Sequence, residues 1–161
     1  MRWVIRTYRK SDAAEVVRLA LRAWAPVHES LREVMGDKIF RHLYGGDWRA
    51  RQRRDVEAVL ADENMSVWVA EEEDRVIGFS AAELKHAEGM GEILMVAVDP
   101  DRQDRGVGAQ LTNRATDWIR ESGLQVVMVS TGGDPGHAPA RRVYEKLGFT
   151  PVPNVIYLKA L

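Results

Sequence analysis

The sequence predicts a mixed α/β domain in which helices cover a largely antiparallel sheet. Three observations predict it. Apolar residues recur at helical spacing up to about residue 62 and then alternate over 66–98; a loop carrying Gly106 and Gly108 leads straight from that alternating region into an amphipathic helix; and one more strand, helix and short strand follow.

Residues 2–8 read as a short strand, with Trp3, Ile5 and Thr7 alternating against Arg2, Val4 and Arg6. A helix follows, for which Asp12 is the expected N-cap and Glu15 the reciprocal partner of a capping box. Val16, Leu19, Ala20, Ala23 and Trp24 form its apolar face, and Pro26 should stop or kink it. A short amphipathic helix is expected over 31–43, closed by Gly45 and Gly46. Asp47 can cap a further helix running to about Asp62, with Val56, Val59 and Leu60 inward.

Period two then takes over. Residues 66–70 and 75–84 read as a hairpin around an acidic turn, and 91–98 as a third strand ended by Asp99-Pro100. Its alternation sets Glu92 on one face with Leu94, Val96 and Val98, a phase that a β-bulge would alter. Residues 106–122 read as a helix with Val107, Leu111, Ala115, Trp118 and Ile119 on one face and Gly123 beyond its end. The nearly all-apolar run 125–130 is expected to be a central strand buried on both faces. A loop over 131–136, a helix over 138–147 ended by Gly148, and a last strand over 155–158 complete the order.

At 161 residues the chain fits one domain over 1–161. A hydrophobic content of 45% with 29% charged residues is that of a folded globular protein, and a net charge of −1 gives no reason to expect a nucleic-acid partner. Charges interrupt the first ten residues, and no apolar run approaches membrane-spanning length, so no membrane is expected and a cytoplasmic setting is the expectation. There is no cysteine, which removes disulfides, thiolate catalysis and Cys-based zinc sites together. His28, His42, His86 and His137 show no metal-ligand spacing, and no metal is expected. Arg49, Arg51, Arg53 and Arg54 lie in the first turns of a helix, where cations oppose its dipole; a solvated face with Asp47, Asp55 and Glu57 as partners is the simpler account, and a site for an acidic group the other.

The stretch from Glu92 to Ala109 carries the chemistry. A strand runs through a turn into a loop with Gln103, Arg105, Gly106 and Gly108, and then into a helix. A helix start presents unpaired N–H groups and a partial positive charge, and bare glycines let a phosphate approach them. Gln103 and Arg105 can add polar and cationic contacts, which makes the loop a diphosphate cradle. A Rossmann fingerprint would need a small residue where Leu111 stands, and a P-loop a Gly-Lys-Ser/Thr run that is missing.

Gln103-Asp104-Arg105-Gly106-Val107-Gly108 matches the Gln/Arg-x-x-Gly-x-Gly/Ala signature of the GNAT N-acetyltransferase superfamily, and Ala140 to Phe149, with Tyr144 and Gly148-Phe149, resembles that family's later helix. Together with the order of elements, the resemblance covers essentially the whole chain. It implies a GNAT-like fold with acetyl-CoA as co-substrate in a cleft between two splayed strands. By that resemblance Val96, Ala97 and Val98 would pair with the pantetheine arm, Gln103, Asp104, Arg105, Gly106, Val107, Gly108 and Ala109 would surround the pyrophosphate, and Tyr144 would protonate the leaving thiolate. Glu92 stands at the spacing that the histone-acetylating branch uses for its general base; its plainer account is a carboxylate on a solvated strand face. Many members have Asn seven residues before the tyrosine, in contact with the cofactor; here the position is His137, which can still make one hydrogen bond.

The implied activity is direct acetyl transfer to a primary amine of a small molecule or peptide, since without cysteine no cysteinyl acyl-enzyme can form. The acceptor pocket is expected from residues 24–48 and the 85–90 turn. Two other functions keep the cradle: a catalytically silent acyl-CoA sensor, and an acyltransferase using another acyl-CoA. Homodimers are common among proteins of this resemblance.

Overall fold

The structure is a computed structural model and describes residues 2–161. Five strands, β1 (Trp3–Thr7), β2 (Ser66–Glu72), β3 (Arg75–Lys85), β4 (Met90–Val98) and β5 (Val126–Val129), form one sheet in chain order. The first three pairings are antiparallel and β4–β5 is parallel. Glu73 and Asp74, at φ 50° and 60°, make the tight turn of the β2–β3 hairpin; both central residues sit in the left-handed region that such a two-residue turn needs.

Helices α1 (Ala13–Met35) and α3 (Trp48–Ala61) cover one face, and α4 (Val107–Glu121) covers the other. Alternation along the strands divides the core between them. Val67 and Val69 join Val16, Leu19, Ala20, Val56 and Phe79 under α1 and α3. Trp68 and Ala70 join Ile93, Leu111, Ala115 and Ile119 under α4. Each large apolar side chain so buried stabilises the fold by roughly 1.5–3 kcal/mol. Gly91 marks the closest approach of α4 to the sheet, because a Cβ there would lie 2.5–2.7 Å from Ile119.

Several local expectations yield to tertiary contacts. Asp12 sits at the N-cap of α1 but does not cap it: its carboxylate accepts from Arg6 Nη1 and Nη2 at 2.9 and 3.0 Å and from the Arg9 N–H at 2.7 Å. Glu15 accepts instead from the Val76 N–H at 2.9 Å, fastening α1 to β3. Pro26 does not end α1, whose 23 residues run through it; the proline is exposed, while Val17, Leu19 and Ala20 before it and His28 after it are held in the interior. The helix expected over 31–43 is divided at Gly36 (φ 80°) between the end of α1 and α2 (Asp37–Tyr44). Asp47 does cap α3, accepting from the Arg49 and Ala50 N–H groups.

Two strand expectations are corrected. β5 is an edge strand, because the crossover through α4 returns it beside β4 with no strand beyond it among the described residues, and Val126 is 54% exposed. Residues 155–158 form no strand: no partner supplies the ladder of hydrogen bonds that apolar alternation alone cannot provide. Val152, Val155, Ile156 and Tyr157 are left exposed, and the Leu161 carbonyl accepts from Lys38 Nζ at 2.6 Å.

Candidate active site

The loop between β4 and α4 is built to leave a helix start bare. A 3-10 turn, Pro100–Arg102, is capped by Asp99, whose carboxylate accepts the Asp101 N–H at 2.9 Å. Asp104 (φ 62°) and Gly106 (φ 87°) then bend the chain so that α4 begins at Val107 with no side-chain cap and no acidic residue in its first turn. The first intrahelical bond runs from the Gln110 N–H to the Gly106 carbonyl, so the N–H groups of Val107, Gly108 and Ala109 have no helical acceptor. A Cβ on Gly106 would meet nothing within 4 Å, and one on Gly108 only Val98 Cγ2 at 3.5 Å. Packing therefore does not require glycine at 108, whereas a ligand closing on the backbone does.

Sequence reasoning missed the residue that anchors this loop. Glu72, buried at the end of β2, accepts from Arg102 Nε at 2.6 Å and Arg105 Nη1 at 3.2 Å. The Arg102 hydrogen bond, opposed in part by desolvation, holds the Glu72 carboxyl below its ordinary range. Gln103 Nε2 donates to the Val98 carbonyl at 3.3 Å. A carboxylate two residues beyond the apolar run 67–70 carries no local signal of a loop thirty residues away.

Beside this bare helix start lies an open strand edge. β4 pairs with β5 only from Met90–Val126 to Ile93–Val129, so the β5-facing side of 94–98, including Val96, Ala97 and Val98, has no partner strand. β4 is bulged here: Ala82 faces Ile93 and Ala81 faces Met95, leaving Leu94 as the extra residue. The bulge changes the phase of the strand. Ile93, Val96 and Val98 pack toward α4 and Met95 and Ala97 toward α1, so Glu92 does not share a face with Val96 and Val98 as plain alternation implies. Glu92 lies opposite Glu83, and Lys85 joins the two, 3.9 Å from Glu83 Oε1 and in direct contact with Glu92 Oε2. That hydrogen bond raises the Lys85 pKa.

Past the end of β5 the chain forms a second polar cluster. Asp134 caps the 3-10 turn Pro135–His137, which leads into α5 (Ala138–Lys146). Its carboxylate accepts from Ser30 Oγ at 2.6 Å, from the Gly136 N–H at 3.1 Å, and from His137 Nδ1. Burial raises the Asp134 carboxyl, but the hydrogen bonds from Ser30 and His137 outweigh it and hold it below the usual carboxylate range. Tyr144, about two turns of α5 further on, is half-buried with its ring 5.7 Å from Phe149, and desolvation raises its phenol above 10.

Between α1, α2 and α3 lies an aromatic cluster that no local pattern in the sequence reveals. The His28 ring stacks on Trp48 at 4.1 Å, with Tyr44 and Phe40 edge-on at 5.3 and 6.2 Å. His28 Nδ1 donates to the Trp24 carbonyl at 2.9 Å, leaving Nε2 as the lone-pair nitrogen. Burial, chiefly, lowers the His28 pKa below 6.5, and the nearby His137 and Arg49 add to it. Of the arginine cluster, Arg51 sits 3.9 Å from Asp55, while Arg49 and Arg53 join Arg18 and Arg22 around a groove of about 520 Å³ between α1 and α3.

A five-stranded sheet opened on one side of β4, with an uncapped helix start beyond it, defines an α/β domain that can lay a phosphate-bearing ligand along a strand edge. Residues 30–149 match the acetyltransferase (GNAT) family, and the chain belongs to that family. A mycothiol acetyltransferase of Thermomonospora curvata is 35% identical over 109 residues, covering 68% of this chain but only 36% of that protein. The chain thus spans little more than a third of the length of that relative. Among solved structures, the PaiA N-acetyltransferase of Thermoplasma acidophilum in complex with coenzyme A is similar with a TM-score of 0.66 at 15% identity, over 93% of this chain and 91% of that one. The aminoglycoside N-acetyltransferase AAC(6')-Iy in complex with CoA has a TM-score of 0.64 at 19% identity, over 98% and 94%. These likenesses bear out the expected fold class.

Proposed function

We propose that residues 1–161 form one N-acetyltransferase domain that moves the acetyl group of acetyl-CoA directly to a primary amine of a small molecule or peptide. One observation carries the reading: the uncapped start of α4, behind Asp104 and Gly106 at positive φ, stands at the end of a strand whose β5-facing edge is unpaired over 94–98. A pyrophosphate suits the first feature, and an extended amide-bearing arm suits the second. Val107, Gly108 and Ala109 would donate backbone N–H groups to the pyrophosphate, with Gln103, Asp104, Arg105 and Gly106 shaping the loop. Val96, Ala97 and Val98 would pair with the arm.

Acetyl-CoA supplies the activated acyl group. The chain's own residues hold it, exclude water and move protons. The Val96 N–H is the candidate to polarise the thioester carbonyl, and Tyr144 to protonate the departing thiolate. The aromatic faces around His28 offer a wall for the organic part of the acceptor. With no cysteine the chain suits a reducing, cytoplasmic setting. A second copy is the proposed cover for the exposed apolar residues 152–158, which lie on the same chain as an unpaired β5 edge; a monomer by sedimentation at micromolar concentration would remove that proposal.

The deciding experiment follows CoA thiol release from acetyl-, succinyl- and longer acyl-CoAs with a panel of amines. Amine-dependent release that is fastest with acetyl-CoA is the expected result. Binding without amine-dependent release would mark a sensor, and preference for another acyl group would reassign the donor.

A further inference from the structure

An alkyl ammonium has a pKa near 10, so at neutral pH an amine acceptor must lose a proton before it can attack. Glu92 is poorly placed to take it, because the Lys85 ammonium already occupies its carboxylate. A second proton acceptor is built beyond β5. His137 Nδ1 donates to Asp134 Oδ1, which leaves Nε2 as the basic nitrogen. The Asp134 side chain is only 6% exposed and the His137 side chain 22%, so a buried carboxylate backs an imidazole that still reaches solvent.

The chain around this pair is committed to holding it. Gly132 has no room for a Cβ, which would collide with Asp134 Oδ1 and the His137 ring, and a Cβ on Gly136 would lie 2.6 Å from that of Ser30. Arg141 Nη1 donates to the carbonyls of Gly132 and Asp134 at 2.5 and 2.8 Å. Capping the turn needs Asp134 alone, since Asp134 Oδ2 already receives the Gly136 N–H and the Ser30 hydroxyl. The imidazole adds nothing to the cap. Its place is informative: the loop departs from β5 just after Val129, the residue at which β4 and β5 part, and packs against α1.

We propose that His137, oriented by Asp134, is the general base that deprotonates the acceptor; this rests on the acetyltransferase reading above. Nε2 takes one proton from R–NH3⁺, and Asp134 stabilises the imidazolium that forms. The freed amine attacks the thioester carbonyl carbon, forming the C–N bond. Collapse breaks the C–S bond, and the thiolate leaves with a proton from Tyr144. The second nitrogen proton returns to the Tyr144 oxygen, and His137 releases its own to solvent. Asp134 on its own turn contacts His137 directly and His28 on α1 interacts with it electrostatically, while Ser30 on α1 and Arg141 on α5 reach the pair through Asp134. His28, lowered by burial and donating to Trp24, stays neutral near pH 7 and does not compete.

The test uses His137→Asn and Asp134→Asn in the full chain with one accepted amine. Asparagine is smaller than histidine and can still make a hydrogen bond at this position, so the fold should survive. The acetyl-CoA melting shift should be retained, while kcat/KM at pH 7 falls roughly a hundred- to ten-thousandfold and recovers toward high pH as free amine appears. Asp134→Asn should fall in the same direction and, unlike a packing defect, show the same pH recovery. Wild-type turnover with a parallel pH profile in His137→Asn overturns the base assignment alone. A lost melting shift with unchanged kcat would make His137 a cofactor contact only, and overturns it too. No amine-dependent turnover by the wild type overturns the acetyltransferase reading, and this inference with it.

Discussion

The Glu72 carboxylate on β2 accepts from Arg105 Nη1 at 3.2 Å, tying an arginine of the cradle loop to a strand two places away across the sheet. Arg102 reaches the same carboxylate from the preceding turn. Loop position is therefore governed from the far side of the hairpin. Glu72→Gln should raise the KM for acetyl-CoA severalfold while leaving kcat nearly unchanged, as loss of uniform binding does. Steady-state kinetics at saturating amine checks this; an unchanged KM would show the anchor to be dispensable.

The same pair predicts an acid sensitivity. Glu72 has its folded-state pKa depressed below the ordinary 4.5, so its contribution is present in full above the unfolded value. It is lost as pH falls through the folded value. Melting temperatures of wild type and Glu72→Gln should therefore be separated above the unfolded value of 4.5 and draw together as pH falls below it; a gap that does not narrow on acidification would contradict the assignment.

Gly108→Asp should abolish cofactor binding with little change in fold. A Cβ there meets only Val98 Cγ2 at 3.5 Å, an ordinary contact, so the side chain is accommodated by the protein, but it sets a carboxylate where a pyrophosphate would lie. Wild type should gain about 2.7 kcal/mol at a hundredfold excess of acetyl-CoA over its Kd, and the variant none. Equal melting shifts would mean that the cradle lies elsewhere.

For Tyr144→Phe the expected result is intact acetyl-CoA binding and a kcat lower by roughly a hundredfold. Burial keeps the phenol protonated past its usual pKa of 10, so the donor is available across neutral pH and the defect should not depend on pH between 6 and 9. Unchanged turnover under rate-limiting chemistry would leave Tyr144 a packing residue against Phe149.

Glu92→Gln separates the two candidate bases. With Lys85 bound to Glu92, the substitution should change kcat/KM by less than about tenfold and leave the pH profile unmoved. A large loss confined to low pH would transfer the base from His137 to Glu92. Lys85→Met in parallel shows whether the ion pair restrains that carboxylate.

Much of this was legible along the chain because it is local. Alternation marked β2, β3 and β4, helical spacing marked α1, α3 and α4, and Gly106-Val107-Gly108 after a strand marked the bare start of α4. Those features depend on neighbours within a few residues, where backbone geometry and side-chain period suffice. Tertiary structure decided what depends on partners far apart in sequence. Asp12 turned from cap to ion pair because Arg6 was within reach, and Pro26 stayed inside α1 because the core held both sides of it. β5 became an edge and 155–158 no strand because pairing needs a neighbour that pattern cannot supply. His137 was visible as a departure from a motif. Its coupling to Asp134 and Ser30 was not, since Ser30 arrives from α1, 104 residues before Asp134, and only the packing of that helix on the 3-10 turn closes the cluster.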